Sequence, residues 1–367
     1  MDIYYILLSP SKEHLYIVLG VLYIRRNNDY YRGITIETRK VQQTGGSTYI
    51  ISLPKPWADK VGIKTGSRIT LHPQPDGKLV IDPIHDSPPI KRCTIDVSGR
   101  MDAVLKRDII AAYLVGSDII EIKADRILAD QKNIIREMCY KLIGPEIIEE
   151  TAKKVVIQDL LNPDEISIKK SVRRMFLISN SMHMDAIRAI KTLDNDLALD
   201  IDHRDDDVDR LFLLIAKQYR AVLRGAKLPD AADTSIDEYH DLRMAAGPIE
   251  RIADHARKIA RVTFSLENNI PEDIMSMVEK TSDLSRKIVE DAIDSLYNSD
   301  VDLANQVIER VEKLSPLITK LNEASLKLES SEAIVAMGTV IDSIDRTGDY
   351  GANVAEIAIN SAMARQK

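Results

Sequence analysis

Cysteine is nearly absent from this chain of 367 residues, with only Cys93 and Cys139 present. Neither stands at metal-ligand spacing to another ligand, which excludes a disulfide framework and a zinc ribbon and makes a reducing cytoplasm the expected compartment. Long apolar runs are also missing. The most apolar stretch, Leu15 to Ile24, covers 10 residues, whereas a membrane-spanning helix needs roughly 20. No membrane insertion is expected. A secretion signal fits poorly, because Asp2 replaces the basic start and Pro10 to His14 interrupt the apolar run. Residues 1–36 read as an N-terminal extension without an assigned role, and the patterned sequence begins near Ile34 to Glu37. Catalytic signatures are lacking as well. There is no Walker-type glycine loop, no His-Glu-x-x-His and no Gly-x-Ser-x-Gly, and the seven histidines are scattered. No enzyme is expected.

Charge is present in both signs but unevenly placed. Residues 37–83 carry seven Lys+Arg against four Asp+Glu, a net +3, whereas residues 164–367 carry 27 against 37, a net −10. The first segment suits a polyanion and the second suits cations or basic partners. Proline marks the same division. Seven prolines crowd the stretch from Pro54 to Pro89, and only Pro229, Pro248, Pro271 and Pro316 lie in the last 200 residues.

The pattern predicts three kinds of structure. Residues 37–83 read as a small β-α-β-β module: a strand over Ser47–Leu53, a short helix over Pro54–Val61, a strand over Arg68–His72, an Asp76-Gly77 turn and a strand over Lys78–Ile81. So short a module buries little core alone, and dimerisation is the expected remedy. Residues 90–162 read as an α+β connector, with strands at Cys93–Val97, Asp118–Ile122, Glu146–Glu150 and Val155–Gln158 and helices at Ala103–Val115 and Ala129–Leu142.

Beyond Asp164, helical spacing predicts six helices of roughly 25 to 30 residues. They repeat. Asp185-Ala186-Ile187 matches Asp291-Ala292-Ile293, Asp194-Asn195-Asp196-Leu197-Ala198 matches Asp300-Val301-Asp302-Leu303-Ala304, and Arg204 answers Arg310, all at an offset of 106. Ile249-Glu250-Arg251 through Asp254 answers Ile344-Asp345-Arg346 through Asp349, and Gly247 and Gly348 suggest close helix approach in each copy. A duplicated three-helix unit follows, residues 163–267 and 268–367.

Three helices carry acids four residues apart: Asp205 with Asp209, Glu250 with Asp254, and Asp345 with Asp349. Such pairs share a helix face about one turn apart, so both carboxylates can address one ion. Clustered oxygens suit a divalent or trivalent metal ion, and His255 and His203 extend the choice to iron, manganese or zinc beside magnesium. The plain alternative is a solvated acidic face neutralised by Arg204, Arg210 and Arg251. Recurrence in both copies, and the apolar setting of Glu250 and Asp254, favour a cation.

The strings HRDDDVDRL, IERIADHARKIA and IDRTGDYGANVAEIA resemble the PhoU family of phosphate-uptake regulators, from about Pro163 to the C-terminus. One departure matters: Asp205 and Asp209 map to Val311 and Ser315, so the fuller site is expected in the first copy. The run TRKVQQTGGSTYIISLPKPWADKVGIKTGSRITL resembles SpoVT/AbrB-like DNA-binding modules, which implies a dimeric swapped-hairpin β fold. By that resemblance Arg39, Lys40, Thr44, Ser47, Thr48 and Lys55 are the DNA contacts. Cations for phosphate oxygens, hydroxyl donors and the close approach allowed by Gly45-Gly46 fit such a role. Trp57 is read as a core anchor.

The resemblances imply a multidomain α+β and all-α homodimer that binds DNA and regulates phosphate uptake. Two rivals stand beside it. One is a signalling adaptor docking on the phosphate transporter ATPase or its sensor kinase, with the N-terminal module only dimerising. The other is a metal hydrolase using the carboxylates.

Overall fold

The computed structural model describes residues 38–73, 77–83, 90–100, 102–161, 166–224 and 234–365. The extension 1–36, Asp76 of the expected Asp-Gly turn, and the helix break near Gly225 to Pro229 lie outside the described residues. Two compact units are present, one up to Thr70 and one from Leu71 onward.

In the first unit, β1 (Gln42–Thr44) and β2 (Thr48–Ile50) form an antiparallel hairpin in which Gln43 faces Tyr49. Its turn needs left-handed backbone, which Gly45 (φ +59°) and Gly46 (φ +80°) supply without steric cost. Helix α1 (Lys55–Lys60) begins behind Pro54, with Pro56 in its first turn. The β2 strand is shorter than expected, and β1 was not foreseen. Gln42-Gln43-Thr44 has no apolar alternation, so the turn rather than burial sets this strand. No residue from 38 to 70 is buried, and Val41, Tyr49 and Ile51 are 61%, 73% and 53% exposed. Trp57 is only half-buried. A lone two-stranded hairpin is marginal in water, and the described residues 38–70 form no core of their own.

The second unit opens with β3 (Thr70–Pro73) hydrogen-bonded to β4 (Leu79–Asp82). The connector then follows its expected order: β5 (Arg92–Asp96), α2 (Asp102–Leu114), β6 (Ile119–Lys123), α3 (Ala129–Tyr140), β7 (Pro145–Glu150) and β8 (Lys154–Asp159). Its sheet runs β5-β6-β8-β7, with β5 parallel to β6 because α2 crosses between them, and the other pairs antiparallel. Alternation places Ile95, Ile120, Ile122, Val155 and Ile157 on one face, against Leu105, Ile109 and Ile135 of the two helices.

Six helices complete the chain: α4 (Ile168–Thr192), α5 (Asn195–Leu223), α6 (Ile236–Val262), α7 (Glu272–Asn298), α8 (Val301–Ser325) and α9 (Ser331–Arg365). They span 25 to 35 residues and share one continuous apolar core. The duplication is three-dimensional. Leu193 and Ser299, 106 apart, both take left-handed backbone (φ +53° and +55°), and the next residue caps the following helix. Asp194 Oδ1 accepts from Leu197 N and Asp300 Oδ1 from Leu303 N, each at 2.9 Å. Ser179 Oγ donates to Ile249 O at 3.3 Å and Ser285 Oγ to Ile344 O at 2.7 Å. Arg204 binds Asp185 at 2.9 Å as Arg310 binds Asp291 at 2.5 Å.

The expected symmetry of glycine fails. A Cβ on Gly348 would stand 2.5 Å from Leu314 Cδ2, and one on Gly351 2.7 Å from Ile288 Cγ2, whereas one on Gly247 would meet nothing within 4 Å. Close approach along α6 comes instead from fully buried Ala245, Ala246, Ala253 and Ala256.

Candidate functional site

Helices α5 and α6 bring the acids of the first copy together. Asp205 is 3% exposed, and Glu250 and Asp254 are half-buried at the seam. One basic side chain enters among them. Arg257, one turn beyond Asp254, places Nη1 2.7 Å from Asp205 Oδ2 and Nη2 3.2 Å from Asp254 Oδ1, bridging the two helices.

Arg257, with Arg251 also acting on Glu250, does not balance four carboxylates. Burial pushes the Asp205 acid up to about 7; Arg257 opposes this, and Asp209 and Asp254 add to it. Glu250 also rises to about 7, first through burial and then through Asp254. Burial and the neighbouring Glu250 and Asp254 push Asp209 the same way, to about 7. Asp209 is nevertheless solvent-exposed as a residue, so Asp205 and Glu250 carry more weight. A site that raises its own acids favours a positive guest. The donor set is all oxygen, which matches a hard cation. Among the described residues no three His, Cys, Asp or Glu side chains are gathered closely enough to hold a metal ion as they stand.

The second copy is thinner. Asp345 and Asp349 sit half-buried on α9, with Arg346 Nη1 3.2 Å from Asp349 Oδ2. Burial, then Asp349, raises Asp345. The structural equivalence of α5 and α8 confirms that Val311 and Ser315 stand where the first copy has acids, and Ala352 takes the place of Arg257. The histidines do not join either set. His203 is exposed on α5, and His255 packs its ring on Tyr350 at 5.7 Å between α6 and α9.

Two features escaped sequence reasoning. Arg257 carried a signal, a base three residues past an acid of the motif. The other is the joint between connector and bundle, where Lys217 of α5 pairs with Asp159 of β8 and lies 4.4 Å from the Tyr113 ring centre. Lys141 binds Asp206 at 3.0 Å beside it, so α5 carries the acids on one side and the connector on another.

The six expected DNA contacts are all exposed. The hairpin separates them: Thr44, Ser47 and Thr48 surround the Gly45-Gly46 turn, Arg39 and Lys40 precede β1 at the open end, and Lys55 begins α1. Strand rise puts these ends roughly 10 Å apart.

Fold and site thus define a tandem-repeat helical protein with an acidic seam, preceded by a connector and a small β hairpin flanked by basic residues. Residues 172–263 and 278–358 each match the PhoU domain, and residues 42–89 match the antidote-toxin recognition domain MazE of bacterial antitoxins, an AbrB-like module. The helical half is a pair of PhoU domains. A phosphate-specific transport system accessory protein PhoU homologue of Pseudomonas putida is 27% identical over 185 residues, covering 48% of this chain and 70% of that protein. PhoU homologue 1 of Thermotoga maritima is 26% identical over 203 residues, covering 52% and 84%. The crystal structure of PhoU from Pseudomonas aeruginosa superposes with a TM-score of 0.49 at 21% identity, covering 55% of this chain and 96% of that one.

Proposed function

We propose that this protein is a regulator of phosphate uptake that binds DNA as a homodimer and senses its signal through the PhoU domain pair. The observation that carries the reading is the joining, in one chain, of a MazE-like module, whose hairpin is flanked by the exposed Arg39, Lys40 and Lys55, to two PhoU domains. Homologues of the helical half bear the name of phosphate transport accessory proteins, which supports the phosphate assignment. Dimerisation follows from energetics. A hairpin with Val41, Tyr49 and Ile51 exposed and no buried residue of its own gains its core from a second copy. The first-copy acids Asp205, Asp209, Glu250 and Asp254 hold a divalent or trivalent cation such as iron, manganese, zinc or magnesium; Asp345 and Asp349 form a weaker counterpart. No catalytic step is assigned, and no helix among the described residues is long and apolar enough to cross a membrane. A cytoplasmic location accords with this role.

The test is retention of the full chain on its own upstream DNA and on upstream DNA of a phosphate transporter, across a salt series. Each phosphate contact steepens the logarithmic salt dependence by about 0.9. Two contacts per protomer lost in R39A/K40A flatten the slope of a dimer by roughly 3 to 4. Absence of salt-sensitive retention on both fragments sinks the reading, as does a monomer in sedimentation. A second reading is favoured by the accessory-protein relatives: an adaptor that docks on the transporter ATPase or its sensor kinase, with the N-terminal module only dimerising. In that case R39A/K40A leaves partner capture intact and DNA retention is absent from the start.

A further inference from the structure

Three buried polar atoms that have no hydrogen-bond partner among the described residues belong to side chains lining one small cavity between the copies: Asn180 Oδ1 and His183 Nδ1 on α4, and Arg286 Nε on α7. The cavity measures about 10 Å³, room for one occupant of water size. Phe176, Ile249 and Val289 supply apolar wall. The copies meet here through matching places, because at the offset of 106 Asn180 answers Arg286 and Ser179 answers Ser285. His183 is 1% exposed. Its Nε2 lies 2.8 Å from Ser282 Oγ, the one bond of that hydroxyl among the described residues, so Ser282 donates and the ring proton sits on Nδ1. Burial, and then the Arg286 charge, lower this histidine to about 4, so the ring is a neutral donor. Arg286 keeps 24% of its side chain exposed, and the one acid in ion-pair range among the described residues, Asp283, is 74% exposed and 3.8 Å away. A guanidinium held against apolar walls with so distant a counter-charge is costly to bury.

We propose that this cavity is a chloride site, the ion being held between the two copies by Arg286 Nε, His183 Nδ1 and the Asn180 amide. A half-turn of that amide presents its NH2 in place of the oxygen, so all three groups donate. The space admits a monatomic ion, whereas a tetrahedral oxyanion such as phosphate brings five heavy atoms and is too large. A water molecule satisfies the hydrogen bonds but leaves the guanidinium charge without compensation, and an anion does both. Among the described residues no carboxylate lines the cavity to oppose it. The ion joins α4 of the first copy to α7 of the second, so it binds only the folded pair and stabilises it by mass action.

The experiment melts the full-length protein in chloride-free buffer over a series of sodium bromide concentrations, with ionic strength held constant by sodium gluconate. A crystal grown in bromide is measured at the bromine absorption edge beside it. The expected result is a melting midpoint that rises with bromide, together with an anomalous peak within hydrogen-bond distance of Arg286 Nε and His183 Nδ1. N180D sets a fixed carboxylate against Arg286 and R286Q removes the charge, so both variants lose the bromide-dependent rise. A cavity that holds only water overturns the proposal, as does a rise of equal size in N180D. A bromide peak with no rise in the wild-type midpoint marks an adventitious ion only and also overturns it. If R286Q does not fold, N180D and the wild-type crystal decide.

Discussion

Removing the charge of Asp205 by D205N should change how stability depends on pH, and the change can be worked out from the site. The free aspartate of the unfolded chain loses its proton near 3.8, whereas in the folded protein burial holds that proton to about 7. Between these values the folded state binds more protons than the unfolded one, so the contribution of Asp205 to stability falls as pH rises. It is constant below the unfolded value and fully lost above the folded one. Each pH unit in that window is about 1.4 kcal/mol for one acid, so from pH 5.5 to 7 Asp205 alone costs about 2 kcal/mol. His183 and His255 act in the opposite sense. Burial lowers both to about 4, so folding stability rises with pH from about 4 to the unfolded histidine value near 6.5. Wild-type curves therefore mix two slopes, and the difference between wild type and D205N carries the Asp205 slope together with the relief of Glu250, which Asp205 helps to raise. The assay is urea unfolding followed by helical circular dichroism in the presence of chelator at pH 5.5, 6.5, 7.5 and 8.5. Wild-type stability minus that of D205N should fall by roughly 2 kcal/mol from pH 5.5 to 7.5 and then level. A difference that is flat, or that grows with pH, refutes the claim that this carboxylate is held protonated by its surroundings.

Two further predictions concern packing. G351A should destabilise by about 1 to 3 kcal/mol, because the new Cβ would meet Ile288 Cγ2 at 2.7 Å and the Val289 backbone N at 3.2 Å, and backbone cannot move aside cheaply. G247A should be neutral or stabilising by up to about 1 kcal/mol, since an open helical glycine gains propensity on becoming alanine; equal melting shifts for the two variants would contradict the geometry. K217M should cost about 3 kcal/mol or more, since it leaves Asp159, 12% exposed in its side chain, without its cation. An unfolding midpoint unchanged in K217M would show that the joint between connector and bundle is not held by this pair.

How far the sequence could be read depended on whether the deciding partner lay within one chain. The connector was legible element by element, because alternation at Ile120 and Ile122 and at Val155 and Ile157 is itself a record of one buried face. The six helices were legible for the same reason at a period of 3.6. In the β hairpin none of the described residues is buried, so hydropathy could not say which side of Val41, Tyr49 or Ile51 would be covered. Gly45 and Gly46 were read for close approach to DNA, whereas in the fold they make the turn of the hairpin between β1 and β2. Gly247 misled, since a helix can approach another through alanine as well as through glycine, and only the facing side chain decides which is needed.

The comparison between copies carries the argument one step beyond any single residue. Both copies keep the left-handed Leu193 or Ser299, the capping Asp194 or Asp300, the arginine latch to Asp185 or Asp291, and the serine bond to Ile249 or Ile344. These groups reverse the chain and lock helix to helix, so any three-helix unit of this shape needs them. What differs is Asp205, Asp209 and Arg257 against Val311, Ser315 and Ala352. Val311 packs as a partly buried apolar side chain against the core. Acids at the seam cost folding energy, as the raised Asp205 and Glu250 show. The second copy keeps the fold with Val311, Ser315 and Ala352 in these places, so the four acids and Arg257 of the first copy are not what the three-helix fold itself requires.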